Sequence, residues 1–437
     1  MKKLYIIIPA ILCSTFAAAQ TMTLKECLEK GVNNSYQIRL VKISEEKAAN
    51  NDSWSYAGGM PSVNISGGYS GSVSNSDVTL ASDGSTVSNR DVFDQTLNAS
   101  VRADWTLFEG FSIQATRNLL EEMHRQGTIR TRTALEDYIA SLTSEYYNLV
   151  RQTIRLKNLE YAAALSKERL RIVSSRYDMG GDSRLDLKQA QVYFNADSAR
   201  ILKQREALAS ANIRINRLMS NQDLTLVHHA ADTAINLIEG LDYQTLYDDM
   251  MTTNASLLQA ESNRSVAIQD RKTVQSRNYP YLRVNAAYGL THSIYGNSVN
   301  SDRTNWGPSF GATLGMNLVN GRQRTQERNA LLDIMSAETT VEQLELHLRA
   351  NLDDFWQAYR NNLLLLELQK QNLKTAQETM EIAQERYMLG NLSGIEMREA
   401  QKSLLDAEES LLQVEYDIKI CEISLLQISG RILKYME

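Results

Sequence analysis

The sequence predicts a mostly helical fold with a smaller β part, arranged as two internal repeats. Three observations lead to this prediction: a motif that occurs twice, two very long stretches with almost no glycine or proline, and four segments in which apolar and polar residues alternate. The first indicates a duplication, the second indicates long helices, and the third indicates amphipathic strands. Two strand pairs and two long helical hairpins are therefore expected in the 437 residues of the chain.

The first residues, MKKLYIIIPAILCSTFAAAQ, have the pattern of an export signal. Lysines precede an apolar run and a small-residue site, which predicts a signal peptide at 1–19 and a mature chain from Gln20. The rest of the chain has no stretch of about 18 apolar residues, so no membrane-spanning helix is expected. A net charge of −6 argues against a nucleic-acid partner, because such proteins are normally basic.

The repeat is clearest in RYDMGGDSRLDLKQAQ (176–191) and RYMLGNLSGIEMREAQ (386–401), which align without a gap. PSVNISGGY (61–69) and PYLRVNAAY (280–288) align as well. These matches predict a first repeat at 20–220, a linker at 221–243 and a second repeat at 244–437. Each repeat should contain a helix (24–57, 244–278), a strand pair (61–108, 280–320) and a long helical hairpin (111–220, 322–430).

The helical hairpins decide the class of fold. Residues 322–389 contain neither glycine nor proline, and 111–179 contain only Gly127. At about 1.5 Å per residue, such a helix spans roughly 100 Å, which a coiled-coil hairpin can hold and a compact domain cannot. One buried helix face is predicted from apolar positions spaced three and four apart: Leu135, Tyr138, Leu142, Tyr146 and Leu149.

The strand segments alternate with a period of two. Between 96 and 107, Leu97, Val101 and similar residues alternate with polar residues that include Arg102 and Asp104. A polar segment at 74–90 is interpreted as a long exposed loop. Alternation fits either a soluble antiparallel sheet with one buried face or the wall of a transmembrane barrel. The export signal and the charged residues on the polar face favour the barrel.

Four strands are too few to close a barrel. A sheet in lipid can have no open edge, because its unpaired backbone groups would find no water there. Two copies would supply eight strands with a filled interior, and three would supply twelve with room for a passage. Three copies are expected.

In the order and spacing of these parts, the sequence resembles the TolC family of outer-membrane efflux proteins, the outer membrane factors. The resemblance rests on the aligned strand segments, on WTLFEG at 105–110 and on the paired RYxxG turns, and it covers essentially the whole mature chain. It implies a homotrimer with a 12-stranded β-barrel in the outer membrane of a Gram-negative bacterium, continuing into an α-helical barrel across the periplasm. The segment 221–243 would pack as a belt around the helices.

The resemblance also implies a function, partners and site residues. The chain would be the duct of a tripartite efflux or secretion system, working with a periplasmic adaptor (membrane fusion) protein and an inner-membrane pump of the RND, ABC or MFS type. Glu396 and Glu399 would narrow a periplasmic gate, and Tyr387 would bind Asp186 to hold it, although Leu392 replaces a basic residue of that latch. The tips that contact the adaptor would include Arg176, Tyr177, Gly180, Arg386 and Gly390.

The tip acids and the function also have simpler interpretations. Ser183 with Asp186 and Ser393 with Glu396 fit helix capping boxes, which would explain both acids without a gate. A soluble periplasmic coiled-coil scaffold or adaptor without a pore is the alternative function. No catalytic motif, cofactor or metal site is predicted, and His228–His229 is interpreted as a surface pair.

Cys27 and Cys421 are the cysteines of the mature chain. Export makes a disulfide between them compatible with the redox environment. Two free, buried thiols are the preferred expectation, because cysteine is often fully buried.

Overall fold

The structure is a computed structural model that describes residues 21–238, 240–297 and 301–436. The expected signal peptide at 1–19 lies outside the described residues. Within the described ranges, none of the helices combines the length and the apolar character that crossing a bilayer requires.

The main elements occur in the same order in both halves of the chain: two helices, two strands, a very long helix and a shorter one. The first half contains β1 (Thr21–Met22), α1 (Leu24–Asn34), α2 (Tyr36–Asn51), β2 (Ser62–Thr79), β3 (Thr86–Glu109), α3 (Ser112–Asp178) and α4 (Arg184–Leu218). The second half contains β4 (His229–Ala230), α5 (Tyr243–Thr253), α6 (Ala255–Ser276), β5 (Tyr281–Ile294), β6 (Asp302–Gly315), α7 (Gly321–Met388), α8 (Gly394–Ile428) and a 3-10 helix at Ile432–Met436. The bounds predicted for the two long helices are confirmed to within one residue.

The chain divides into two compact units. The strand unit consists of Lys42–Arg130 and Leu258–Leu344 and contains the four long strands. The helical unit is built from the described residues up to Val41, from Thr131–Leu257 and from the chain beyond Glu345. It contains the turns that join α3 to α4 and α7 to α8.

The four long strands form one antiparallel sheet in the order β2-β3-β5-β6. The central strand β3 pairs with β2 on one side, with Asp104 opposite Ser62, and with β5 on the other, with Asp104 opposite Asn285. Among the described residues, β2 and β6 have no partner on their outer sides. The sheet is therefore open at both edges within one chain.

One face of this sheet is apolar and exposed. Val101 and Tyr288 are cross-strand neighbours on it, and Phe310 is 89% exposed. On the opposite face, the hydroxyls of Ser66 and Ser100 lie 3.0 Å apart. The predicted alternation is confirmed, and the apolar side chains are left uncovered by the chain itself.

The prediction of a long loop at 74–90 is wrong. β2 extends to Thr79 and β3 begins at Thr86, so only a short turn that includes Gly84 separates them. Val78 pairs with Val87 and Thr79 with Thr86, and β-branched residues favour strands. Polarity was a misleading signal here, because a strand exposed on both faces can be as polar as a loop.

The core of the helical unit contains the predicted face of α3. Tyr138, Leu142, Tyr146 and Leu149 are all buried, and Leu135 packs against the same cluster. The Tyr138 hydroxyl donates to the carbonyl of Leu218 at 2.9 Å. The spacing of three and four residues along α3 therefore marks the buried face correctly.

The segment 221–243 packs against this core through apolar side chains such as Ile235 and through polar contacts. Asn216 at the end of α4 donates to the carbonyl of Leu226 at 2.7 Å and contacts the ring Nε2 of His228 at 2.8 Å. His228 is buried, and burial lowers its pKa. The prediction of a surface pair is therefore wrong for His228, because Asn216 satisfies its ring nitrogen and Asn212 accepts its backbone N–H at 2.8 Å, whereas His229 is exposed.

The two cysteines are free and buried, as preferred from the sequence. The Cys27 thiol lies 3.8 Å from the sulfur of Met219, and burial raises its pKa to about 12. The Cys421 thiol accepts a weak hydrogen bond from Asn362 at 3.9 Å. Neither thiol has thiolate character near neutral pH.

Candidate functional site

The turns that follow α3 and α7 are built in the same way. Gly180 and Gly390 have left-handed backbone, with φ of +80° and +79°. The residue after each glycine donates its N–H to the carbonyl five residues earlier, that of Arg176 in the first turn and Arg386 in the second, both at 2.8 Å. This is the Schellman arrangement, in which glycine takes a backbone conformation that other residues rarely adopt. The RYxxG motif is therefore a helix-terminating device used twice.

α4 and α8 begin with the predicted capping boxes. Asp186 donates its backbone N–H to the Ser183 hydroxyl at 3.2 Å, and its carboxylate accepts the N–H of Ser183 at 3.1 Å. Glu396 and Ser393 make the same bonds at 3.2 and 3.0 Å. The hydrogen bonds from each serine lower the pKa of its acid. Both acids are therefore helix caps that stay charged near neutral pH, with oxygen lone pairs still free for other contacts.

Glu399 lies one helical turn after Glu396, and both side chains are exposed. The two glutamates line an open cleft of about 500 Å³ together with Arg386 and Leu392. A spacing of three residues puts both acids on one face of α8. Arg386 contributes to the lowered pKa of Glu396. The tip of the second hairpin therefore presents two carboxylates close to one guanidinium.

Tyr387 is buried against the first hairpin by Arg176. The Arg176 guanidinium lies 5.3 Å from the centre of the Tyr387 ring and donates to the carbonyls of Tyr387 at 3.2 Å and Met388 at 3.4 Å. Tyr387 and Asp186 line the same cavity, of about 220 Å³. Among the described residues there is no hydrogen bond between them, and the Asp186 carboxylate is bound to Ser183. Within one chain, the contact between the tips is therefore made by an arginine and a tyrosine ring.

The second arginine–tyrosine contact that the repeat offers is not formed within one chain. Tyr177 and Arg386 stand at the positions of the repeat that correspond to Tyr387 and Arg176. Tyr177 is 38% exposed, whereas Tyr387 is 5% exposed. Arg386 is exposed as well, while Arg176 is half-buried. Each chain therefore carries one formed tip contact and the two halves of a second.

A buried polar cluster joins the two helical hairpins along their helices, a few turns away from the tips. Arg398 of α8 donates to both carboxylate oxygens of Asp197 on α4, at 2.6 and 2.8 Å. Ser166 of α3 also donates to Asp197. Gln401 donates to Ser166 at 3.0 Å and to the carbonyl of Ala162 at 2.7 Å. The cluster therefore links three helices through a bidentate ion pair, which is the strongest common geometry for such a pair.

Tyr193 of α4 packs against two guanidinium groups of this cluster. Arg169 lies 4.9 Å and Arg398 lies 5.2 Å from the centre of its ring. Arg169 is buried, and burial together with the nearby Arg398 lowers its pKa. The face of an aromatic ring attracts cations, so Tyr193 helps to keep two like charges close together.

The sequence analysis missed this cluster, although a signal for it was present. Positions 210 residues apart correspond in the tip region, and there the cluster departs from the repeat. Asp197 corresponds to Ala407, Ser166 to Ala376 and Arg398 to Lys188. A charged residue that replaces an alanine on a buried helix face marks an interaction made in one half of the chain and not in the other.

The tip region carries paired charges. In the parts of the chain that the structure describes, no group of three or more His, Cys, Asp or Glu side chains could hold a metal ion. The arrangement terminates and caps helices, holds two hairpins together and displays carboxylates at an exposed end.

Comparison with known proteins finds a matching family and relatives that align along most of the chain. A model of the family described as outer membrane efflux protein matches residues 29–221 and 246–431. The chain is 21% identical over 439 residues to the outer membrane protein TolC of Vibrio cholerae, covering 98% of this chain and 96% of that protein. It is 22% identical to the cation efflux system protein CusC of Escherichia coli, covering 93% of this chain and 86% of that protein.

The fold itself is shared with solved outer membrane channels. The crystal structure of the Campylobacter jejuni CmeC outer membrane channel superposes with a TM-score of 0.77, covering 93% of this chain and 85% of that one at 15% identity. At this identity the likeness concerns the fold alone.

Proposed function

The chain belongs to the outer membrane efflux protein family, and we propose that three copies of it form one continuous duct. Membership makes it an efflux channel protein of the outer membrane of a Gram-negative bacterium, with a large periplasmic portion. The family is a transport family rather than an enzyme family. The alternative of a soluble scaffold or adaptor without a pore is not favoured.

The open sheet is the main observation that supports a trimer. Its apolar face is exposed, and its edge strands β2 and β6 lack partners on their outer sides among the described residues. Lipid would solvate the apolar face but not the unpaired backbone of the edges. Pairing β6 of one copy with β2 of the next removes both edges, and three copies make a twelve-stranded barrel with room for a passage.

The tips support the same assembly. Arg176 covers the ring of Tyr387 within one chain, while Tyr177 and Arg386 are exposed. In a ring of six hairpins, Arg386 of one copy would meet Tyr177 of the next in the same geometry. The ring would then be closed by six similar contacts, three of them within chains and three between them.

The exposed carboxylates give this ring a gate. Three copies of Glu396 and Glu399 place six acids around one axis at the narrow periplasmic end. Opening would require a partner that binds the open state more tightly than the closed state. A periplasmic adaptor that contacts the tips around Gly180 and Gly390 fits this role, and an inner-membrane pump of the RND, ABC or MFS type would supply the energy.

Extraction and mass measurement test this proposal. The protein should require detergent for release from the envelope, and its mass in detergent, corrected for bound detergent, should equal three chains. Recovery in the aqueous fraction, or a monodisperse monomer in detergent, would contradict the proposed duct.

A further inference from the structure

The first strand pair extends beyond the rest of the sheet as a two-stranded ribbon. β3 pairs with β5 only as far as Gln95, opposite Ile294, but it pairs with β2 as far as Thr86, opposite Thr79. Among the described residues, no third strand pairs with this extension, although Asn297 of the turn after β5 donates to the Asn89 side chain at 2.5 Å. A two-stranded hairpin alone is marginally stable in water. The ribbon would therefore be stabilised by a partner.

A β-bulge separates the ribbon from the sheet. The pairing register shifts between Ser74 and Ser76, so that Asn75 faces both Arg90 and Asp91. Asp91 has a φ of +54°, and its N–H donates to the Asn75 side chain at 2.5 Å. A bulge bends its strand and increases the local twist. The ribbon is therefore bent relative to the sheet that it continues.

The apolar side chains change face at this bulge. Before it, Val73 pairs with Phe93 on the apolar face of the sheet, the face that also carries Ile65. Beyond it, the next apolar pair is Val78 with Val87. Val78 follows Val73 by five positions, and an odd spacing along a strand places two side chains on opposite faces. The ribbon therefore carries its apolar pair on the side where the sheet is polar, next to the polar pair of Ser76 and Asn89.

Side-chain contacts on the other side of the ribbon agree with this inversion. The hydroxyls of Thr79 and Thr86 lie 3.2 Å apart, and Arg90 forms an ion pair with Asp77 at 3.1 Å. These four residues lie on the face that is apolar in the sheet. Val78 and Val87 on the opposite face are 47% and 46% exposed. The exposed apolar face is thus a feature of the ribbon itself.

This inference rests on the proposed duct, in which the two faces of the sheet meet different environments. The apolar face of the sheet contacts lipid there, and the polar face lines the passage. The helices attach where β2 begins and β3 ends, so the turn at 80–85 lies at the opposite, outer end of the barrel. Val78 and Val87 then face the three-fold axis just outside the membrane.

We propose that the ribbons of three copies close the outer mouth of the duct by packing Val78, Leu80 and Val87 against one another. Twelve strands about 4.8 Å apart and tilted by about 40° enclose a radius of roughly 12 Å. Residues 75–80, at about 3.3 Å per residue, reach roughly 20 Å. Once bent inward at the bulge, the ribbon is long enough to reach the axis. The apolar contact is small, so emerging cargo can displace it.

Cross-linking of the full chain in cells tests this contact. Val87→Cys is compared with Ser88→Cys, because neighbouring residues of a strand point to opposite faces. Mild oxidation should join two chains through Val87→Cys and leave Ser88→Cys as single chains. The native Cys27 and Cys421 are buried and do not interfere.

A band of twice the chain mass for Val87→Cys alone supports the proposal. Equal cross-linking of both variants, or none for Val87→Cys, overturns it. If Val87→Cys does not cross-link, labelling with a bulky, membrane-impermeant maleimide then shows why the ribbons are not in contact. A shielded thiol would mean that a different molecule of the cell surface covers the ribbon, and a labelled thiol would mean that the mouth is open. Failure of the duct proposal itself would give a different result, because the unmodified chain would then not measure as a trimer in detergent.

A second measurement reports closure directly. Ser70 lies on the passage face, below the bulge, with Thr96 opposite it. The thiol introduced by Ser70→Cys should react slowly with a reagent added outside the cell. Adding Val78→Asp and Val87→Asp should raise the labelling rate several-fold, because like charges would separate the ribbons, whereas adding Thr79→Asp on the outer face should not. Equal rates in all three backgrounds would show that the ribbons do not restrict the mouth.

Discussion

Arg398 of α8 holds both carboxylate oxygens of Asp197 on α4, at 2.6 and 2.8 Å, and so joins the second hairpin of the chain to the first. The corresponding positions of the repeat, Lys188 and Ala407, cannot form this pair. In the proposed ring of six hairpins, contacts within a chain would therefore be stronger than contacts between chains. Gate opening should separate neighbouring copies before it separates the hairpins of one copy.

Breaking the ion pair from one side should destabilise the protein strongly. Arg398→Met leaves the Asp197 carboxylate buried with fewer partners, and removal of one member of a buried pair costs about 3–5 kcal/mol of the free energy of unfolding. The melting temperature in detergent should fall accordingly. Arg398→Met combined with Asp197→Leu should recover most of the loss. The matched control, Lys188→Met at the exposed corresponding position, should stay within about 0.5 kcal/mol of the wild type.

The pH dependence of this pair follows from the pKa of Asp197. Burial acts to raise that pKa, but hydrogen bonds from Arg398 and Ser166 outweigh it, so the pKa lies below its ordinary value. A depressed pKa in the folded state adds stability above the unfolded value of about 3.9, and this stability is lost as the pH falls through the folded pKa. The melting temperatures of wild type and Asp197→Asn should therefore differ by a constant amount between about pH 5 and 8 and converge only in stronger acid. Convergence near neutral pH would contradict this assignment.

Charge at the proposed gate can be removed without removing the helix cap. Glutamine serves as well as glutamate at the third position of a capping box, so Glu396→Gln with Glu399→Gln keeps α8 intact. Cation selectivity and block by divalent cations in a planar bilayer should both decrease, because six carboxylates no longer face the passage. Glu381→Gln, an exposed glutamate of α7, should change neither. Unchanged selectivity in the double variant would leave these two glutamates as caps and surface charge.

The tip contact within a chain should depend on Arg176 and not on the tyrosine hydroxyl. Arg176 covers the ring of Tyr387 and binds two carbonyls at the end of α7. Arg176→Met should loosen the closed ring and raise its single-channel conductance. Tyr387→Phe keeps the ring and should conduct like the wild type. The opposite pattern would place the restraint on a hydroxyl contact, such as one to Asp186.

The second tip contact is expected between copies. A chain that carries Tyr177→Cys and Arg386→Cys should give covalently linked trimers with a short bismaleimide cross-linker, which spans the gap left by two long side chains, whereas either replacement alone should not. Monomers from the double variant, under conditions where the detergent-solubilised protein is still a trimer, would show that the six tip contacts are not alike.

The sequence by itself determined the features that depend on near neighbours. The bounds of α3 and α7, the capping boxes at Ser183 and Ser393 and the glycine turns at 180 and 390 were all predictable, because helices and caps are formed by residues three to five positions apart. The alternation of β3 and β5 was predictable for the same reason, since strand faces follow a period of two.

Only the tertiary structure decided the contacts between distant parts of the chain. Arg398 meets Asp197 across 201 positions, and Arg176 meets Tyr387 across 211. The inversion of the ribbon depends on a register shift between β2 and β3. Sequence periodicity predicts which face of a helix or strand is apolar, but it does not predict which distant side chain packs against that face. That choice is made when the hairpins pack, because burial of a charge costs free energy that a well-placed partner, such as Arg398 for Asp197, has to offset.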